Sequence, residues 1–404
     1  MIEFVTDKKF DFKDIIKVIG VGGGGTNAVN NMYRSGIEQV SFVVCNTDRQ
    51  SLDNSPVPIK IQLGVSLTEG LGAGNNPTHG MNAAREAQEE LREMMDGAKM
   101  VFITAGMGGG TGTGAAPVIA QIAKSLNILT VAVVTIPFSF EGEKRIRQAI
   151  DGMRQLQQYV DAMIVIDNNK ILDLYGDLGI SEAFANADSV LLDAVKSIAE
   201  IITVPGYINV DFADVQTVLT NSGVAIMGSA LGKGKDRALE AAKKSINSPL
   251  LNIDNFSGAK KLLVNITHPN KFTTSEMHTI ITYLQDELGK NRADIIWGNV
   301  KDDNMAQDEV RVTVIATGFN ANVIPDVEEI LRDKRKDITE KYFDYQDDIK
   351  SEQEWETIIM KTIKAQKLQY IENYTEPNII RKFSEEPAYL RLNMGESFFL
   401  KSDN

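Results

Sequence analysis

Short runs of consecutive apolar residues alternate along the first half of the chain with stretches whose apolar positions recur every three or four residues. The apolar runs at 15–21, 40–46, 100–105, 130–136 and 163–167 predict strands buried on both faces of a parallel sheet, because no polar face interrupts them. The intervening patterns at 27–35, 81–96, 115–126 and 143–158 predict helices, and the alternation reads as a doubly wound α/β domain. A long helical pattern at 181–203 ends before Pro205-Gly206. Beyond it, helices are expected at 237–245 and 274–288 and strands at 261–267, 293–300 and 309–317, a smaller α+β domain. From 320 to 386 charge dominates and no strand is evident, which predicts a charged, partly helical tail.

Composition narrows the function. A net charge of −13 argues against a nucleic-acid binder and against direct binding to anionic lipid. The single cysteine, Cys45, can form no internal disulfide, so a cytoplasmic setting is expected. The first residues carry no basic region followed by an apolar run, and no stretch reaches the ~18 apolar residues of a membrane span. His79, His268 and His278 are scattered without metal-ligand spacing.

Two glycine-rich loops follow predicted strands. The first runs Gly20, Val21, Gly22, Gly23, Gly24, Gly25, Thr26, Asn27; glycines let backbone N–H groups approach phosphate oxygens while the next helix adds its positive end. Gly20, Gly22 and Gly25 also satisfy G-x-G-x-x-G, with Asp48 roughly twenty residues on, so this loop alone leaves a dinucleotide-binding domain open. The second loop contains Gly108, Gly109, Gly110, Thr111, Gly112, Thr113 and Gly114. Two such loops at the carboxyl edge of one sheet imply several phosphates held from two sides. No Walker A lysine is present: Lys233 and Lys235 follow glycines but lack the next Ser or Thr. Backbone dipoles, Arg145 and Mg²⁺ are then left to balance the phosphate charge.

With the second loop, the segments Asn46-Thr47-Asp48, Gly70 to Pro77, Pro137 to Gly142 and Asn209 to Asp214 make the chain resemble the tubulin/FtsZ GTPase family, on its bacterial cell-division branch, from about 14 to 318. The resemblance implies a Rossmann-like GTP-binding domain at 14–180 after an N-terminal extension at 1–13. It further implies a connecting helix at 181–205, a loop and helix at 206–223, and a C-terminal α+β domain at 224–318. It implies that Gly22, Gly23, Gly24, Gly25, Thr26 and Asn27, together with Gly108, Gly109, Gly110, Thr111, Gly112 and Thr113, wrap the phosphates of GTP or GDP. Gly72, Ala73 and Gly74 join them, and the metal, Mg²⁺, is held through phosphates and water. Glu141 would bond the ribose, Arg145 approach the phosphates, and Asn168 contact the guanosine. Phe184 would stack on guanine, with Asp188 four residues on accepting from its donor edge. One departure is Asp167, where the family's usual proline precedes Asn168.

Asp211 and Asp214, with Asn209 alongside, have a local reading as helix N-cap and first-turn acid. The resemblance adds a second role, in which they enter the neighbour's nucleotide pocket and polarise the attacking water; both roles can hold together. A head-to-tail contact that does not close gives a filament. The resemblance also implies a linker at 319–384. Residues 385–404 would recruit membrane-anchoring division proteins through Pro387, Ala388, Tyr389, Leu390 and Arg391, beneath the inner membrane at the division site. Two other readings remain at this point: a non-hydrolysing scaffold of the same family, and an NAD-dependent dehydrogenase.

Overall fold

The computed structural model describes residues 15–37, 39–175, 179–204, 206, 208, 210–248, 258–288 and 293–319. The chain divides into two compact units, 1–336 and 337–404, and every described residue belongs to the first.

Ten strands form one sheet in the order β3-β2-β1-β4-β5-β6-β7-β10-β8-β9. Its first part is parallel: β1 (Ile16–Val21), β2 (Ser41–Asn46), β3 (Ile59–Gln62), β4 (Met100–Gly106), β5 (Leu129–Ile136) and β6 (Ala162–Asp167). β5 is buried at every position, as an all-apolar central strand covered on both faces must be. Helices α1 (Gly22–Arg34), α2 (Arg49–Asp53), α3 (Val65–Thr68), α4 (Pro77–Glu86), α5 (Gln88–Met95), α6 (Thr111–Ser125), α7 (Glu143–Leu156) and α8 (Asn168–Tyr175) occupy the connections.

The second part contains β7 (Gly223–Lys233), β8 (Lys261–His268), β9 (Asp294–Lys301) and β10 (Glu309–Thr317), with α11 (Arg237–Ile246) and α12 (Thr274–Glu287) packed on it. β7 joins the two parts. Its first residues pair in parallel with β6, Gly223 opposite Ala162, and the remainder pairs antiparallel with β10, Ile226 opposite Ala316. Neither β7 nor β3 is among the predicted strands. Gly223, Gly228, Ser229 and Gly232 break up the apolar run of β7, and β3 is four residues beside Pro58 at the sheet edge.

Between the parts runs α9 (Ile180–Thr203), about 36 Å long at 1.5 Å per residue. Ala187, Leu191, Ala194, Ile198 and Ile201 lie on its buried stripe, in one core with Leu263 of β8 and Ile315 of β10. It is followed by α10 (Phe212–Leu219). The predicted helix at 81–96 is two helices meeting at Ala87. No local signal marks that break. α4 docks on the second glycine loop through Gly80, whereas α5 buries Leu91 and Met95 in the core.

Candidate nucleotide site

The sequence places the glycines between strand and helix; in the structure they are largely the helix starts themselves. α1 begins at Gly22, directly after β1, and α6 begins at Thr111. Both are long helices, and neither N-terminus is capped by a side chain. Their first N–H groups lack intrahelical acceptors, and the helix dipole adds positive potential there. Both open onto one cavity of about 270 Å³ at the carboxyl edge of the parallel strands.

The two loops touch backbone to backbone. A β-carbon on Gly22, whose φ is +71°, would lie 2.7 Å from the nitrogen of Gly112. One on Gly112 would lie 2.6 Å from the carbonyl oxygen of Gly106. These glycines are therefore dictated by packing as well as by any ligand. The Thr113 hydroxyl accepts from the Gly108 N–H at 2.8 Å, stapling the second loop, and the Thr111 and Thr47 hydroxyls bond at 2.6 Å.

Of the residues singled out from sequence, Gly23, Gly24, Gly109, Gly110, Thr111, Gly112, Glu141, Arg145, Asn168, Phe184 and Asp188 line the cavity. Gly22, Gly25, Thr26, Gly108 and Thr113 are buried behind that lining, within the same two loops, whereas Asn27 is exposed and not on the lining. Gly72, Ala73 and Gly74 are not on the lining either; Ala73 backs the second loop, with its β-carbon 2.9 Å from where one on Gly110 would lie. Gly106, Met107, Thr135, Pro137, Ala187 and Leu191 also line the cavity and were not foreseen. Ala187 and Leu191 were legible in principle, since they continue the helical spacing of Phe184 and Asp188.

The far wall is polar and aromatic. Asn168 opens α8 and is buried, and its Oδ1 has no hydrogen-bond partner. Leaving such an acceptor unmet costs about 1–3 kcal/mol, which a donor on a ligand would recover. Asp167, in the place of the expected proline, accepts from the backbone and side-chain amides of Asn169 at 2.9 and 2.8 Å, and Asn169 Oδ1 accepts from Ser139 N–H. The chain thereby obtains a fixed turn without proline. Phe184 is 41% exposed and meets Phe138 edge-on at 5.1 Å between ring centres. Asp188 accepts from Asn31 Nδ2 at 3.4 Å, and burial pushes its carboxyl up to about 6. Arg145, in the first turn of α7, binds Glu141 at 2.5 Å across the Gly142 turn that precedes the helix.

Asp211 and Asp214 are not on this lining. Asp211 is the N-cap of α10: its Oδ1 accepts from Asp214 N–H at 2.8 Å, and Asp214 Oδ2 accepts from Asp211 N–H at 3.2 Å. The capping expectation therefore holds, as a reciprocal box. α9 carries the chain roughly 22 Å onward from Asp188 to Thr203 before this loop begins. β7, which follows α10, starts level with the start of β6. The two acids thus lie toward the amino edge of the sheet, away from the cavity. Asn209, the linker 319–384 apart from Phe319, and Pro387 to Arg391 lie outside the described residues. Asp48, the acid the dinucleotide reading needs on a ribose, instead caps α2 by accepting from Ser51 N–H at 3.1 Å.

A parallel α/β arrangement with paired helix N-termini on one cavity, joined through a long helix to a second, mixed part of the same sheet, defines a class of nucleotide-binding proteins. Residues 15–176 match the family model described as Tubulin/FtsZ family, GTPase domain, and residues 223–320 match that of the FtsZ family, C-terminal domain. "Cell division protein FtsZ" of Wigglesworthia glossinidia brevipalpis is 44% identical over 93% of this chain and 96% of its own length. The protein of that name from Coxiella burnetii is 49% identical over 76% and 79%. A solved structure titled "FtsZ dimer, empty (M. jannaschii)" superimposes with a TM-score of 0.72 at 42% identity, covering 75% of this chain and 88% of that one. The chain belongs to the Tubulin/FtsZ family and is a GTPase that binds guanine nucleotide. The dehydrogenase reading of the first loop is thereby set aside. No helix among the described residues is long and apolar enough to cross a membrane.

Proposed function

We propose that this chain is a cytoplasmic, GTP-dependent polymerising GTPase of bacterial cell division, assembling head to tail so that each subunit supplies hydrolytic acids to the nucleotide of the next. The observation that carries this reading is the separation of parts: the phosphate cradle lies at one edge of the sheet and the Asp211–Asp214 box toward the other. A subunit whose pocket and acids sit at opposite ends completes its site only against a second copy, and repetition of that contact gives a filament.

In this reading Gly23, Gly24, Gly109, Gly110, Thr111 and Gly112 meet the phosphates, supported from behind by Gly22, Gly25, Thr26, Gly108 and Thr113 and from outside by Asn27, Gly72, Ala73 and Gly74. Arg145 and Glu141 serve the phosphate and ribose. The phosphate end is lined by glycine and threonine rather than clustered carboxylates, which suits Mg²⁺ brought in on the phosphates and balancing their charge. Asp211 and Asp214, with Asn209, orient and polarise the attacking water. Sedimentation with GTP against GDP, with phosphate release followed in the same samples, tests the assembly. GTP-dependent pelleting with turnover per subunit that rises with protein concentration is expected; full turnover by dilute monomer would refute it.

Phe184, Asp188 and Asn168 bind the base. An ionised Asp188 accepts from the N1–H and amino group of guanine and repels the acceptor edge of adenine. Its carboxyl in the free protein sits at about 6, raised by burial, so guanine binding must draw on the ionised form. Affinity for GTP is expected to fall as pH drops through about 6, by up to tenfold per unit below it. The free fold shows the opposite sign: the folded chain holds this proton more tightly than the unfolded chain, so the group's contribution to stability is lost as pH rises through that range. Nucleotide titrations between pH 5 and 8 check this, and Asp188→Asn should bind weakly with a flat profile.

The domain roles follow the same reading: 14–180 binds GTP, 181–205 connects, 206–223 carries the acids, 224–318 forms the second face of the contact, and 319–384 tethers residues 385–404. The segment from Pro387 to Arg391 would order on membrane-anchoring partners at the division site. Deleting 385–404 is expected to spare turnover and pelleting while abolishing capture by an anchor protein; unchanged capture would remove that assignment.

A further inference from the structure

The segment leading into Asp211 is held from one side by β9. Gly298 packs against the Val210 side chain, and the Asn299 backbone packs against Gly206. A β-carbon on Gly298 would lie 2.9 Å from Val210 Cγ2, and Asn299 comes so close to Gly206 that a β-carbon there would overlap its carbonyl oxygen. Within this segment Ile208 N–H donates to Asn299 Oδ1 at 2.9 Å. Ile208 precedes the capping aspartate by three residues, and its own side chain is 38% exposed.

The orientation of the Asn299 amide is determined by its other neighbour. Asn299 Nδ2 lies 2.8 Å from His268 Nε2, and both residues are buried. His268 Nδ1 lies 2.8 Å from the carbonyl oxygen of Pro269, which can only accept, so Nδ1 carries the hydrogen and Nε2 of the neutral ring is left as acceptor. The ring is fixed by stacking on Phe272 at 4.5 Å. Asn299 must then donate to His268 through Nδ2 and offer Oδ1 to Ile208. The three contacts thus share one mutually consistent donor and acceptor assignment.

We propose that Asn299, oriented by His268, is a positioning residue for the Asp211–Asp214 box, setting where those acids stand against the neighbouring subunit's nucleotide. This rests on the assignment of the acids as the hydrolytic groups in trans. Neither residue lines the nucleotide cavity; they act by fixing the backbone that carries the acids. Misplacement of catalytic groups by about 1 Å can cost about 100-fold in rate.

The test measures phosphate release at saturating GTP per pelleted subunit, together with GTP affinity of the monomer. Asn299→Leu, similar in size but unable to accept from Ile208, is expected to lower kcat at least about tenfold while leaving GTP affinity and KM within about twofold. Asn299→Asp is the rescue: one carboxylate oxygen accepts from Ile208 while His268, protonated, donates to the other, and turnover should return to near the parent level. If the Asn299 variants do not fold, His268→Phe and His268→Gln carry the same comparison, since only glutamine restores an acceptor to Asn299 Nδ2. Asp211→Asn is run alongside. If it abolishes turnover and Asn299→Leu does not lower it, the positioning role is overturned alone. If Asp211→Asn retains full turnover, the assignment of the acids falls and this role falls with it.

Discussion

Asp211→Asn is expected to reduce GTP turnover by about 100-fold or more while leaving GTP binding and the fold intact, the loss typical of removing a positioned general base. The substitution separates the two functions of the residue. An asparagine oxygen can still accept from Asp214 N–H, the bond that now stands at 2.8 Å, so the helix stays capped and only the charge is lost. Asp211→Ala would remove both, adding about 0.5–2 kcal/mol of destabilisation from the lost cap. Mixing supplies the decisive readout. In the proposed head-to-tail arrangement the acids of one subunit serve the nucleotide of the next, so adding intact subunits to Asp211→Asn subunits should restore hydrolysis of nucleotide bound by the variant. Hydrolysis that depends only on the acids of the chain holding the nucleotide would sink the arrangement in trans.

The second large effect concerns two adjacent glycines with opposite surroundings. Gly22→Ala should abolish nucleotide binding and lower the melting temperature. Its φ of +71° disfavours any side chain, and the new β-carbon would press to 2.7 Å on the nitrogen of Gly112. Backbone strain of that kind costs of order 1–3 kcal/mol, and the displaced element is the second loop of the cradle itself. Gly23→Ala should fold normally, because nothing lies within 4 Å of its β-carbon and its φ is not positive. The added methyl instead enters a residue that lines the cavity, so the expected result is weakened GTP binding at unchanged melting temperature. Thermal melts and nucleotide titrations on the pair distinguish packing from recognition; equal melting temperatures for the two would contradict the interlocked loops.

Much of this arrangement is legible in the sequence. Uninterrupted apolar runs such as 130–136 can be satisfied only by burial on both faces, and the glycine loops at their ends indicate where an anion sits. The acid at 211 was legible as a cap because N-capping depends on residues within one turn. The local chemistry also showed its limits. The loop glycines read as a turn before a helix, yet Gly22 and Thr111 already begin helices, because anion-binding N-termini favour residues that helix propensity alone disfavours. β7 was invisible because its glycines and serine are tolerated only through pairing with β6 on one side and β10 on the other.

By itself, then, the sequence determined the class of fold, the two glycine-rich loops, the placing of Phe184 and Asp188 on one helix face, and the family. Each of these is encoded in periodicity, turn chemistry or short-range spacing. Only the tertiary structure decided that β7 joins the two parts of one sheet and that Gly22 and Gly112 are fixed by each other. It likewise decided that the Asp211 segment is braced by Asn299 and His268 from distant parts of the chain. Those facts depend on approach between elements far apart in sequence, and no local pattern carries that information.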